Sequence, residues 1–398
     1  MRNLSRTAVA LAATALTTTL TTGLTTGAAT AAPTCTPAWK LLDVPAIPDG
    51  GYSVAHASSV SSKQVMLTTE GDRTSATLTS DGRSVRLLSQ QIPHAAMAPG
   101  GAWETTFDSN SSGWARYQFR YGDTYGSGIP VFARLYGGRW TFVPTAPSPD
   151  PTVSRPNLQG MDSISPSAAW SVGEYTTQSA DSAGAAIQQW DGRVWKNIDN
   201  PARTRANATL RAVSARSRDD VWAVGRQFTD PGRIESLILH YDGKAWTELP
   251  GAPGVLAELV SVSARASDDV WAVGFERKGD VFGPVALHWD GTSWSSAATP
   301  SAAWTMPMTV YAAGPSDVWI TAMSPADGST QPPLQHWDGT SWTDVRPEGV
   351  QPPGSVYIYA SLTGSGPKDV WATGQILNGS GWESTSQPLV AHLSCEGR

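Results

Sequence analysis

One stretch recurs along this chain and leaves few folds open to it. Its cleanest copy runs from Ser261 to Trp294: SVSARASDDVWAVG, a variable loop, then ALHWDGTSW. The stretch reads as four short strands. Leu259 to Ala264 alternates apolar and small polar residues, as a half-buried strand does. Ser267-Asp268-Asp269 is turn chemistry, because aspartate side chains bond nearby backbone N–H groups. Val270 to Gly274 is a short run of strand formers. A variable polar loop is expected next, then a third strand, Ala286 to Trp289. Asp290-Gly291 predicts a tight type I′ hairpin, since that turn needs positive φ at both central residues. Thr292 to Ala297 is the fourth strand, and Pro300 ends it.

Aligned on the second-strand residue, the copies place Trp114, Trp170, Trp222, Trp271, Trp319 and Trp371 in one column, with Met66 at the head of a degenerate copy. The successive spacings are 48, 56, 52, 49, 48 and 52. A period near 50 is that of one four-stranded propeller blade. Six copies carry the hairpin. After Trp371 the chain reaches PLVAHLSC (388–395) without one, and CTPAWKLLDVP (35–45) reads like the missing fourth strand. The expected fold is all-β: one seven-bladed propeller over residues 33–398, its ring closed by the N-terminal strand completing the last blade. Closure removes the open sheet edges. Expected blades are 53–90, 103–145, 157–200, 208–250, 257–300, 307–347, and 355–395 with 35–45.

Residues 1–32 read as a secretory signal peptide. Arg2 and Arg6 precede the apolar stretch Ala8–Leu16, and Ala29-Thr30-Ala31 and Thr30-Ala31-Ala32 both offer small residues for cleavage. No later run is long and apolar enough for a membrane span. A secreted, extracellular monomer is expected. In that compartment Cys35 and Cys395, the only cysteines, are expected to pair across the ring joint. Closing so long a loop is worth up to about 5 kcal/mol in the chain-entropy view. Losing Arg2 and Arg6 moves the net charge from −6 to −8. So acidic a chain offers no broad basic face to nucleic acid.

DVWAVG followed by LHWDGTSW-type hairpins resembles the kelch-type repeat, as in the central domain of galactose oxidase. The resemblance covers the whole mature chain and implies the propeller fold. It departs in one respect: the paired glycines ending the second kelch strand are reduced here to Gly225, Gly274 and Gly374, and are absent at Ile320-Thr321. Kelch-like propellers include copper oxidases, epimerases and pure binding proteins, so the resemblance implies no single activity. The copper site of that family needs a cysteine crosslinked to a tyrosine, and both cysteines here are assigned to ring closure.

Few residues stand outside the repeat. His240, His288, His336 and His392 occupy one position in four blades, so they cannot converge on one metal and read as structural. His56 and His94 lack a third ligand. No metal and no cofactor is expected. Asp220, Asp269, Asp317 and Asp369, and the hairpin residues Asp191, Asp242, Asp290 and Asp338, read as turn residues capping backbone donors. Fifteen of the eighteen tryptophans sit at repeat positions and are expected to pack blade on blade. Trp103, Trp304 and Trp382 do not. They lie in fourth-to-first and second-to-third strand connections, which emerge on one face of a propeller.

Off-repeat aromatic rings on one face suggest a stacking platform for sugars. The expected ligand-binding set is Trp304, Trp382, Trp103, Tyr121, Tyr125, Tyr175, Arg226, Arg277 and Glu383. The expected function is non-catalytic binding of carbohydrate or a cell-surface polymer. Two alternatives remain. A glycan hydrolase or lyase would draw its acids from Glu174, Asp230, Glu235, Glu276, Asp280 and Glu383, with Arg226 and Arg277 reading an acidic sugar. A protein–protein scaffold would show a broad apolar patch.

Overall fold

The alternation read from Leu259 onward becomes the innermost strand of a blade. In the computed structural model, twenty-eight strands, numbered in chain order, form seven four-stranded antiparallel sheets. The structure describes residues 36–47, 53–70, 75–88, 92, 104–118, 130–150, 156–177, 182–230, 233–278, 281–297, 306–323, 334–347, 355–378 and 385–395. Among the described residues there is no helix, so none is long and apolar enough to cross a membrane. The sheets lie in one unit, Pro37–Arg398; residues 1–36 make a second, of which only Thr36 is described.

Blade five shows the unit: β18 (Ala257–Ala266), β19 (Asp269–Lys278), β20 (Val281–Trp289) and β21 (Trp294–Ser296). Two local expectations need correction. The variable loop is mostly strand, since β19 and β20 pair as far as Arg277↔Phe282 and Lys278↔Val281. Phe275 and Phe282 meet edge to face at 5.5 Å and favour this longer ladder. The hairpin is not type I′. Trp289 pairs with Trp294, which leaves a four-residue turn. Only Gly291 is left-handed there (φ 93°), and Asp290 Oδ1 accepts the N–H groups of Thr292 and Ser293 at 2.8 Å each.

Asp191, Asp242 and Asp338 cap their own turns in the same way. The aspartates before Val-Trp do something else. Asp220 Oδ1 accepts from the Trp222 indole at 2.9 Å and pairs with His240 Nε2 at 3.0 Å. His240 in turn stacks on Trp222, with centroids 4.2 Å apart. Asp317 with Trp319 and His336, and Asp369 with Trp371 and His392, repeat the cluster; Asp269 and His288 form the same pair. The four histidines are structural, as their spacing implied.

Tryptophans carry the contacts between blades. Trp222 meets Trp289 and Trp294 of the next blade at 5.6 and 5.8 Å, and Trp271 meets Trp337 and Trp342. Such aromatic pairs add to burial worth about 1.5–3 kcal/mol per large side chain. The last blade is β1 (Ala38–Leu41) added to β26 (Val356–Gly366), β27 (Asp369–Asn378) and β28 (Thr385–Ser394). Trp39 of β1 therefore receives Trp319 of blade six at 5.1 Å. Trp371 packs onward against Val54, Leu78 and Val85 of blade one, which uses aliphatic residues where other blades use indoles. The N-terminal strand thus closes the ring. Cys35 lies outside the described residues; Cys395 directly follows Ser394, the register partner of Ala38.

Candidate binding face

Antiparallel strands in each blade bring the fourth-to-first and second-to-third connections to one end of the ring, the loop face. The seven inner strands start there and line a central channel of about 750 Å³. Six of them bulge near that end, each with one unpaired residue: Ala55, Gln159, Arg211, Val260, Met308 and Ala360. A bulge re-aims side chains, and all but Ala55 of these residues line the channel. In four of these blades glycine stands opposite the bulge, where a Cβ at Gly274 would sit 1.9 Å from the Glu258 carbonyl oxygen and one at Gly225 2.0 Å from that of Thr209; blades one and six have Thr69 and Ala322 there.

The channel wall is polar on blades two to five. Glu258 of β18 is buried and held by two guanidinium groups: Arg211 Nε at 2.7 Å and Arg226 Nη1 at 2.6 Å. Arg211 also donates to Gln159 Oε1. The trio carries one net positive charge. In blade two Arg116 pairs with Glu104 at 3.3 Å and donates to the carbonyls of Leu158 and Gln159 in blade three at 2.6 and 2.9 Å. Such charges tolerate burial only when paired and hydrogen-bonded. The opposite wall, from Val260 and Met308 to Leu362, is largely apolar, with small hydroxyls between.

Within the channel, residues at one position of the inner strands fasten five of the blades to the next. The Ser214 hydroxyl accepts from Ala264 N, Ser263 from Ala312 N, Thr363 from Ser59 N and Ser58 from Phe107 N, at 3.0 to 3.2 Å. Blade three places Asp162 in that position, and Asp162 Oδ2 accepts from Ala215 N at 2.8 Å. Two residues earlier, Ser261 and Ser361 form a second set of fasteners, and blade two places Glu104 there. Burial pushes Asp162 up to about 6 and Glu104 up to about 7, the latter against the pull of Arg116.

The predicted site residues fare unevenly. Trp103, Trp304, Trp382, Tyr121, Tyr125 and Glu383 lie outside the described residues, as do Asp280 and His94. Tyr175 is corrected: it is 2% exposed, packs between blades two and three, and donates its hydroxyl to Asn197. It is a core ring with no face for a ligand. Arg226 lies beside the channel mouth, with its guanidinium 4.6 Å from the Phe228 centroid. Arg277 is exposed on β19. Of the candidate acids, Glu174 accepts from Asn157 and Thr209, and Glu235 pairs with Arg233. The carboxylates that do share one cavity are Glu104 and Asp162, which sequence reasoning missed.

Comparisons with known proteins add only the architecture. No protein-family model and no curated protein matches the chain. Among solved structures, YCF48 bound to D1 peptide superposes with a TM-score of 0.53 at 12% identity, over 90% of this chain and 97% of that one. PorZ, a surface component of the type-IX secretion system of Porphyromonas gingivalis, gives 0.51 at 10%, over 83% and 46%. The propeller domain of the Trilobed protease from Pyrococcus furiosus gives 0.50 at 7%, over 85% and 97%. At such identities the likeness is one of fold.

Proposed function

We propose that this chain is a secreted, non-catalytic binding protein that takes a carbohydrate or cell-surface polymer at the loop face of its propeller. One observation carries the reading. Of the six exposed large apolar side chains among the described residues, Leu256 (42%), Phe282 (37%) and Met308 (40%) belong to strand ends or connections on this face, where the Arg211–Glu258–Arg226 cluster also lies; Tyr136 and Val194 stand at third-to-fourth strand hairpins on the opposite face. Apolar surface beside ordered charge suits a polymer that presents C–H faces and polar groups together. Export through residues 1–32 and a Cys35–Cys395 bond at the ring joint belong to the same proposal. Among the described residues no cysteine is free, which supports the bond. N-terminal sequencing of exported protein should begin at Ala32 or Pro33, and a start at Met1 would remove the export reading.

An extracellular glycan hydrolase or lyase is the second reading, favoured by one fact: Glu104 and Asp162 line one cavity and both titrate high. Against it, both carboxylates occupy fastener positions: other blades fill that of Asp162 with hydroxyls, and Ser261, Thr309 and Ser361 stand at that of Glu104.

The test is a binding screen of the mature protein against glycans and cell-wall polymers, with Trp304→Ala, Trp382→Ala and Phe282→Ala alongside. Binding lost in a folded variant supports the loop face. Turnover of the bound glycan, abolished by Glu104→Gln, would establish the enzyme instead. Failure to bind any glycan at millimolar concentration would overturn the carbohydrate reading and favour a protein partner.

A further inference from the structure

The Arg211–Glu258–Arg226 trio stands at the loop-face mouth of the channel, on three strands of two blades. Arg211 belongs to β14 (Ala208–Ser217). Arg226 belongs to β15 (Asp220–Asp230), which turns at the loop face into β16 (Arg233–Tyr241). Glu258 belongs to β18. The Glu258 side chain is only 5% exposed, against 28% for Arg211 and 25% for Arg226. What solvent meets there is therefore guanidinium more than carboxylate. Arg211 commits Nε to Glu258 and Nη1 to Gln159, and its Nη2 makes no hydrogen bond among the described residues. The neighbouring carboxylates are spent elsewhere. Glu104 pairs with Arg116, Asp162 accepts from Ser163 N and Ala215 N, and Glu174 accepts from Asn157 and Thr209.

The repeat does not require this trio. Counted from the second-strand tryptophans, blades five, six and seven have Val260, Met308 and Ala360 where blade four has Arg211. They have Phe275, Met323 and Gln375 where it has Arg226. Blades close without the charges, and charges held partly out of water cost desolvation. A net positive charge between fixed walls concentrates the field in the cleft, and guanidinium groups match carboxylates in shape as well as charge. The rim changes character from blade to blade. Arg211 is followed in the next two blades by Val260 and Met308, which line the same cavity, and Met308 is 40% exposed. A cation thus stands beside apolar surface on one rim.

Resting on the loop-face reading above, we propose that the channel mouth is the subsite for a uronate unit of an acidic glycan. The sugar carboxylate meets Arg211 at its uncommitted Nη2 edge, within the field of Arg226. The C–H face of the sugar ring lies on Val260 and Met308. The cavity, of about 750 Å³, is of the size that holds small ligands, and its strand-built walls reduce the ordering cost of binding.

Isothermal titration calorimetry on the whole mature protein tests this. The probes are trigalacturonate and trimannuronate, their uncharged methyl esters, and triglutamate, at up to roughly 10 mM. The uronates should bind, and the esters should bind at least roughly tenfold more weakly. Arg211→Met places the blade-six residue in blade four and leaves Glu258 paired with Arg226, so it should bring the uronates down to the level of the esters. Met308→Glu changes an exposed side chain and keeps the test decisive if Arg211→Met folds poorly. It should weaken the uronates several-fold and spare the esters. Esters that bind as tightly as the acids, or uronates that bind both variants as they bind wild type, overturn the subsite while the loop-face reading stands. Triglutamate binding as tightly as the uronates overturns the sugar assignment in favour of an acidic peptide. Uronates that fail to bind where a neutral glycan binds overturn the subsite alone, and failure of every glycan overturns both.

Discussion

At the scale of single residues, the clearest constraint is steric. Gly274 is fixed by the bulge it faces. Gly274→Ala should cost on the order of 3 kcal/mol of unfolding free energy, read by denaturant titration, whereas blade six already carries a side chain in that register, Ala322 opposite Pro307, and Ala322→Gly should cost far less. The sequence offers Gly225, Gly274 and Gly374 at once, but their cause lies in the neighbouring strand. Tyr175 shows the opposite limit. Tyr175 stands five residues after Trp170, where blade four has Gln227, whereas Arg226 stands four after Trp222; alternation along the strand turns Tyr175 inward between blades and Arg226 toward Glu258. Asp220 and its counterparts were legible as recurring residues but not as partners of His240 and Trp222, because those contacts join residues from different strands.

At the scale of strands, the inner layer carries both the channel and a pH dependence. The column eleven positions before each second-strand tryptophan reads Trp103, Gln159, Arg211, Val260, Met308 and Ala360. Such variety inside a repeat could have marked the channel lining. It was hidden because a bulge breaks the period-2 pattern that defines a strand face; Trp103, in the same column, lies outside the described residues. Asp162 and Glu104 break the hydroxyl pattern of the fasteners. Their folded pKa values lie above the unfolded ones, so the native state binds more protons than the unfolded chain. The stabilisation is complete below the ordinary carboxylate range and is lost as pH rises through about 6 and about 7. Asp269 and Asp369 are shifted down and act only in more acidic solution. The melting temperature should therefore fall from pH 5 to pH 8. Asp162→Ser, which restores the fastener hydroxyl of other blades, should flatten that fall and leave the protein folded. An unchanged slope would contradict the assignment of Asp162.

At the scale of the whole molecule, the ring is held by a repeated contact and one joint. The period of the tryptophans and the missing hairpin made the seven blades and their closure legible, because six blades bury a second-strand indole against the next and the last blade needs a strand from elsewhere. Trp39 is that strand's indole. Trp39→Ala should cost about 3–5 kcal/mol and should speed amide exchange first in β28 and in Val54 and Val65 of blade one, where the closure contacts lie. Equal loss of protection around the whole ring would argue against a distinct joint. The site was less legible, since binding residues come from connections of differing length and from bulges whose partners the sequence does not name.

The most direct measurement is hydrogen–deuterium exchange on the mature protein with and without a glycan captured in the screen. Protection is expected at the tips of the β15–β16 and β19–β20 hairpins and at the start of β18, all on the loop face. Protection confined to the Asp-Gly turns around Gly192, Gly243, Gly291 and Gly339, on the opposite face, would contradict a loop-face binding site.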